Sequence, residues 1–224
     1  MNIPFILAFL EDLQRNNSKP WMDANRDRYQ EARHYFIELV SQTLQQLQQI
    51  DPLLHGVQPQ ECLFRINKND FSKKGEPPYK GRMGAGISRG GRHSPFANYI
   101  LVLEPGGKSR IGGGMPNPRP EQLELIRQEI DYSPGELEQI ISSPDFVEQF
   151  GKLRGEKRAT APKGYDKAHP AIDLLRHKNF LALRYLTDEE AGQLDVTSRL
   201  LPTYKTVKPL LDFFNKTIDE KLTR

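Results

Sequence analysis

Apolar residues recur at helical spacing over Ile3, Ile6, Leu7, Phe9, Leu10 and Leu13, which predicts an amphipathic helix at the start of the chain. Asn2 is placed to cap it, Pro4 suits its first turn, and Asn16-Asn17-Ser18 end it. After Lys19, Pro20 and Trp21, a second stripe (Tyr29, Ala32, Phe36, Leu39, Val40, Leu44, Leu47, Ile50) predicts a longer helix that Asp51-Pro52 stops. The two helices are expected to pack as an antiparallel pair over a sheet.

The period then shortens. Cys62 to Ile66, Met83 to Ser88, Tyr99 to Leu103 and Lys108 to Gly112 read as strands, and the unbroken apolar run Tyr99–Leu103 has the character of a buried one. Glu104-Pro105-Gly106-Gly107 reads as a turn, so the strands on either side of it should form a hairpin. No helix-length segment separates these strands, which favours antiparallel pairing.

Helical spacing returns from Pro118, with Leu123, Ile126, Arg127 and Ile130 on one face. Ser133-Pro134-Gly135-Glu136 and Thr187 with Glu190 have the order of capping boxes, and Ser143-Pro144 starts a further short helix. Residues 152–169 read as a basic loop, Pro170 opens a short helix, and Phe180 to Leu186 alternates as a fifth strand. The tail carries Tyr204, Val207, Leu210, Leu211, Phe214 and Ile218 at helical spacing, kinked or split near Pro209. The pattern describes an α+β fold with a central, mostly antiparallel sheet of about five strands, packed by N-terminal, middle and C-terminal helices. No repeat or linker divides residues 1–224, so a single domain is expected.

Composition narrows the class. Hydrophobic content of 37% and charged content of 27% suit a folded protein, and no apolar run approaches the roughly 20 residues of a membrane helix. The N-terminal apolar run lacks a basic segment before it, and Glu11 and Asp12 follow it where a cleavage site would need small residues. A cytoplasmic protein without a membrane association is therefore expected. Cys62, the single cysteine, excludes an internal disulfide and a multi-cysteine zinc site, and no metal is expected.

The net charge of +3 is unevenly spread. Residues 61–92 carry eight Lys/Arg against three acids, and residues 152–184 carry nine against three. If the two segments meet in space they form an anion-facing surface; the bland alternative is two solvated basic faces. The sequence holds no phosphate-cradling Walker loop, no nucleophile-elbow serine and no paired-histidine zinc motif. Gly84-Ala85-Gly86-Ile87-Ser88-Arg89-Gly90 misses the dinucleotide glycine spacing and leads toward a strand.

What remains is a cationic set with a few proton-transfer candidates. Alternation turns Arg65 away from Phe64 and Ile66, where its planar fork can meet a phosphate or carboxylate, or can pair with Asp70. Lys68 and Lys80 lie in the same segment, with Ser72 between them. Gly112-Gly113-Gly114 either lets a ligand approach the backbone at Gly113 or merely turns the chain. Arg127 and Lys178 extend the candidate ligand-binding set, giving Arg65, Lys68, Ser72, Lys80, Gly113, Arg127 and Lys178. Asp70, Tyr79 and His169 are the candidate catalytic groups; Tyr79 reads more readily as a packing residue and His169 as a helix-capping or loop residue.

Asn17, Trp21 and Asn25, then Phe64-Arg65-Ile66, Phe71-Ser72-Lys73 and Pro78-Tyr79-Lys80 occur in a characteristic order. Leu103 to Gly107, Gly112 to Met115, Arg127, Pro162 to Asp166, His169-Pro170 and Lys178-Asn179-Phe180 continue it. In these motifs, over nearly its whole length, the chain resembles a conserved bacterial and fungal family, domain of unknown function 2461. The resemblance implies a single cytoplasmic α+β domain and supplies no activity, cofactor or catalytic residue. The chain departs from the family pattern between Asn67 and Phe71, where a family arginine and acid are missing unless Lys68 and Asp70 stand in for them.

Three functions compete. The first is an enzyme or binding protein for a small phosphorylated or carboxylated ligand, held where segments 61–92 and 152–184 meet. The second is a nucleic-acid-binding module in which the basic segments track phosphates and Phe71, Tyr79 or Phe96 stack on bases. The third is a protein-interaction scaffold with a flat apolar patch. No particular cofactor is indicated.

Overall fold

Asn2 accepts the Phe5 amide on its side chain at 3.0 Å, and the helix it caps, α1 (Ile3–Arg15), buries every residue of its predicted stripe. The computed structural model describes residues 1–68 and 75–222, which also include α2 (Lys19–Ala24), α3 (Arg26–Ile50) and the short α4 (Pro59–Cys62). Three strands follow: β1 (Met83–Ile87), β2 (Asn98–Leu103) and β3 (Ser109–Met115). Then come α5 (Pro120–Tyr132), α6 (Pro134–Ser142), α7 (Pro144–Phe150), α8 (Ile172–Leu175), β4 (Phe180–Leu186), α9 (Asp188–Gly192) and α10 (Leu201–Leu222).

The strands make one antiparallel sheet in the order β1-β2-β3-β4. It has four strands, not the five expected, because the segment from Cys62 to Ile66 does not form one. Cys62 ends α4, where the Glu61 carboxylate accepts the Gln58 amide at 3.0 Å, and only Leu63 and Asn67 make isolated bridges, to Ala85 and Tyr79. From Leu63 to Asn67 one segment advances four residues while the opposing one, Tyr79 to Ala85, advances six, so the two bridges are out of register and no continuous ladder joins them.

By its internal contacts the chain divides into two units. The first comprises Met1–Arg92, Ile100–Ile111 and Tyr185–Pro202. In it α1 packs on α3, and α3 also meets β1. The expected turn after β2 is present: the Gly106 and Gly107 amides, both at positive φ, donate to the Asp188 carboxylate at 2.9 and 3.0 Å. Thr187 and Glu190 complete the predicted capping box of α9.

The second unit comprises His93–Tyr99, Gly112–Arg184 and Thr203–Arg224. Its core includes Tyr99 against Tyr204, with ring centroids 5.4 Å apart, and Phe180 against Phe214 at 5.1 Å. The helix α10 runs through Pro209 without a break. Ser133 begins α6, yet its side chain accepts no amide, so that expected capping box is not made. Instead the Ser133 amide donates to the Glu129 carbonyl at 2.8 Å, which keeps the residue attached to the end of α5.

The glycine run corrects the strand boundary. Gly112, Gly113 and Gly114 do not follow β3 but lie inside it. At Gly112 (φ +146°) and Gly114 (φ +141°) a Cβ would collide with the carbonyl oxygens of Ala182 and Phe180 on β4, so only glycine lets these two backbones come this close. Replacing Gly112 or Gly114 with Ala should cost at least about 2 kcal/mol by urea unfolding. Gly135→Ala, in α6 where a Cβ meets nothing within 4 Å, should be neutral or stabilising by up to about 1 kcal/mol.

His177 is 2% exposed, stacks on Phe180 at 5.2 Å and donates from Nδ1 to the Asn179 carbonyl at 3.0 Å. Burial, first, holds its pKa below the ordinary 6.5. The unfolded chain therefore binds this proton more readily than the folded one, so its contribution to stability is complete above about pH 6.5 and falls as the pH drops. His177→Phe, which keeps the stacked ring but cannot titrate, should flatten the fall of stability below about pH 6.5 relative to the unaltered chain.

Candidate functional site

The α3 stripe that faces inward carries Tyr29, Arg33 and Phe36 one turn apart, and the turn spacing sets them along one face of the helix. Phe36 is buried, whereas Tyr29 and Arg33 are half-buried, so the arginine stands at the edge of the apolar stripe. These three residues form one wall of a cavity of about 610 Å³ in the first unit. That volume lies in the range of small-molecule sites. The opposite wall is the extended segment Leu63–Lys68, and Met83 and Gly84 of β1 contribute the floor. Arg82 and Arg92, just before and after β1, complete the lining.

Five cations therefore surround one cavity: Arg33, Arg65, Lys68, Arg82 and Arg92. Its described lining contains no carboxylate. Their engagements differ. Arg92 donates from Nη1 to the Glu61 carbonyl at 3.3 Å, while Lys68 lies 3.5 Å from Glu76. Arg82 stands 3.9 Å from Glu104, a carboxylate already held at 2.9 Å by Arg110. The guanidinium groups of Arg33 and Arg65 make no hydrogen bond or ion pair with another described residue. Tyr29 adds a phenol whose pKa burial raises, against the opposing pull of Arg33 and Arg26, so it offers a neutral hydroxyl as a donor.

The segment bearing Arg65 is braced from behind. Lys80 donates from Nζ to the Arg65 carbonyl at 3.0 Å and from its amide to Ile66 at 2.7 Å. Burial, with the Arg82 charge next, lowers the Lys80 pKa. Asn17 clamps the Tyr79 backbone on both sides, donating to its carbonyl at 2.9 Å and accepting from its amide at 3.0 Å. Gln14 holds Gly81 in the same way, at 2.8 Å to its carbonyl. Lys80 and Tyr79 thus position the cationic wall and are not part of the lining.

The remaining expected site residues divide as follows. Asp70 and Ser72 lie outside the described residues. Gly113, Arg127, His169 and Lys178 belong to the second unit. Gly113 sits within β3, where a Cβ would press on the Asn98 carbonyl and on Leu211 and Val207. Arg127 is 6% exposed and donates to the carbonyls of Leu175 at 2.9 Å and His177 at 3.2 Å, and burial lowers its pKa. It fastens the end of α8 to α5. His169 accepts the Ala171 amide on Nδ1 at 3.0 Å and faces Asp131 with Nε2 at 3.0 Å, so both nitrogens serve the local loop. Lys178 pairs with Glu156 at 3.5 Å.

Much of the second basic segment is similarly occupied. Arg176 donates to the carbonyls of Arg158 and Ala159, Lys157 lies 3.7 Å from Asp173, and Arg184 donates to Gln149 at 3.2 Å. Sequence reading missed Arg33, whose signal was a cation beside Tyr29 and Phe36 on the buried stripe of α3. Among the described residues no group of three His, Cys, Asp or Glu side chains could hold a metal ion, and no helix is long and apolar enough to cross a membrane.

No curated protein and no solved structure matches the chain. A family model described as a conserved hypothetical protein, DUF2461, matches residues 6–213, nearly the full length, and agrees with the resemblance carried by the motifs. The chain belongs to the DUF2461 family of conserved hypothetical proteins.

Proposed function

We propose that this protein binds a small anionic ligand, phosphorylated or carboxylated, in the cavity between α3 and the Leu63–Lys68 segment. One observation carries the reading: five cations line a single cavity whose described lining holds no carboxylate. Like charges gathered in this way repel, by roughly 3 kcal/mol for a pair about 5 Å apart at an effective dielectric of about 20. A bound phosphate or carboxylate relieves that repulsion and accepts the arginine forks. The reading narrows the expected site to segment 61–92, since the charges of 152–184 are largely spent within the second unit.

The chemistry of the lining is that of binding. The guanidinium groups offer donor forks, and the Tyr29 hydroxyl together with Gln60 and Asn67 supplies neutral polar groups. Arg65 is the residue best placed to meet the ligand, because it is exposed, without a described partner, and fixed at its backbone by Lys80.

Isothermal calorimetry with inorganic phosphate, methyl phosphate and acetate, at low ionic strength, tests this. At least one anion should bind, with affinity falling as salt rises. Arg65→Ala should weaken it about 10-fold to 100-fold, the effect of losing a charge-assisted hydrogen bond, without lowering the melting temperature. Anions that bind the Arg65→Ala variant as tightly as the unaltered chain would remove the proposal. Tight, salt-sensitive binding of a single-stranded oligonucleotide, with none of the small anions, would favour the nucleic-acid reading instead.

A further inference from the structure

Phe64 is an aromatic side chain on the wall of the cationic cavity, and it is 41% exposed. Its neighbours in the chain, Leu63 and Ile66, are buried. The ring is not loosely placed. The Phe64 amide donates to the Gly84 carbonyl at 2.8 Å, which fixes the backbone against β1. Cδ2 and Cε2 of the ring lie 2.9 and 3.5 Å from the point where a Cβ on Gly84 would stand. The ring therefore occupies the space that any other residue at position 84 would fill, with the glycine backbone as its support. Val102 on β2 lies on the same side, its Cγ2 3.2 Å from that point.

From this seating we infer that Phe64 is a stacking platform, and that the cavity selects anions bearing a flat aromatic ring. The inference rests on the anion-binding reading above and names the ligand class for the same site. A ligand ring lies against the Phe64 face, while its phosphate or carboxylate reaches Arg65 and the other cations. A supported ring loses little freedom when a ligand covers it, so the contact is gained at low entropic cost. Phenyl rings and nucleobases both fit this description, since each has a π-face.

The probes are methyl, cyclohexyl and phenyl phosphate, measured by calorimetry on the full chain. Phenyl phosphate should bind about 5-fold to 150-fold tighter than methyl phosphate, the range of one aromatic stacking contact, and tighter than the puckered cyclohexyl ester. Phe64→Leu keeps an apolar side chain but removes the flat face. It should abolish the phenyl preference and leave methyl phosphate affinity within about twofold. Gly84→Ala, which forces the Phe64 ring off its seat, should reduce the same preference, whereas Phe64→Trp should retain it. Equal affinities for phenyl and methyl phosphate, or a phenyl preference unchanged in Phe64→Leu, would overturn the inference while leaving the anion site standing. Failure of all three esters to bind would overturn both. Adenosine monophosphate against phenyl phosphate then distinguishes a nucleobase site from one for simpler aryl anions; either outcome supports the platform if Phe64→Leu weakens the tighter ligand.

Discussion

At Gly84, Gly112 and Gly114 a neighbouring group occupies the place where a Cβ would stand, and this steric constraint shapes the parts of the molecule that matter most. At Gly112 and Gly114 the obstruction is the backbone of β4, so the glycines set how closely β3 and β4 can run. At Gly84 the obstruction is the Phe64 ring together with Val102. The first case fixes a strand pair, and the second fixes an aromatic face on a cavity wall. The same lack of a side chain thus makes core in one unit and seats an exposed ring on a cavity wall in the other. A methyl group at Gly84 would make the Phe64 ring shift from its present seat.

Where local chemistry alone determines structure, the sequence was informative. Asn2 and the Thr187–Glu190 pair cap helices because a side-chain oxygen lies within reach of amides two or three residues on, a relation that needs no tertiary context. The apolar run of β2 and the Gly106-Gly107 turn are of the same kind. Ser133 has the same local pattern but no capping hydrogen bond, because its amide stays tied to α5. Glycine is ambiguous in sequence, since it serves turns, ligands and close strand pairs equally well, and only the position of β4 identifies which role Gly112 and Gly114 have. The missing fifth strand also depends on tertiary context: Leu63 to Ile66 has strand composition, but the opposing Tyr79–Ala85 segment carries two extra residues between the bridges, so no continuous ladder forms.

The candidate site was legible as a charge excess and illegible as a set of residues. Charge counting cannot separate an arginine that holds two buried carbonyls, such as Arg127, from one that faces a cavity, such as Arg65. Nor can it find Arg33, an isolated cation on an otherwise apolar helical face. Burial and partners make the distinction. A buried cation must be satisfied by the protein, because an unpaired one would cost several kcal/mol, and Arg127 meets that need with backbone carbonyls. A cation at a cavity wall can remain solvated until a ligand replaces the water. The guanidinium groups of Arg33 and Arg65 have no partner among the described residues, whereas Lys80 is partly buried and donates to the Arg65 carbonyl. The division separates two jobs: Tyr79 and Lys80 of segment 61–92, with Asn17 from outside it, hold the wall in place, and Phe64 and Arg65 line it. A substitution in the first group acts through the shape of the wall. One in the second changes the charge or the flat ring that the wall presents while leaving its backbone in place.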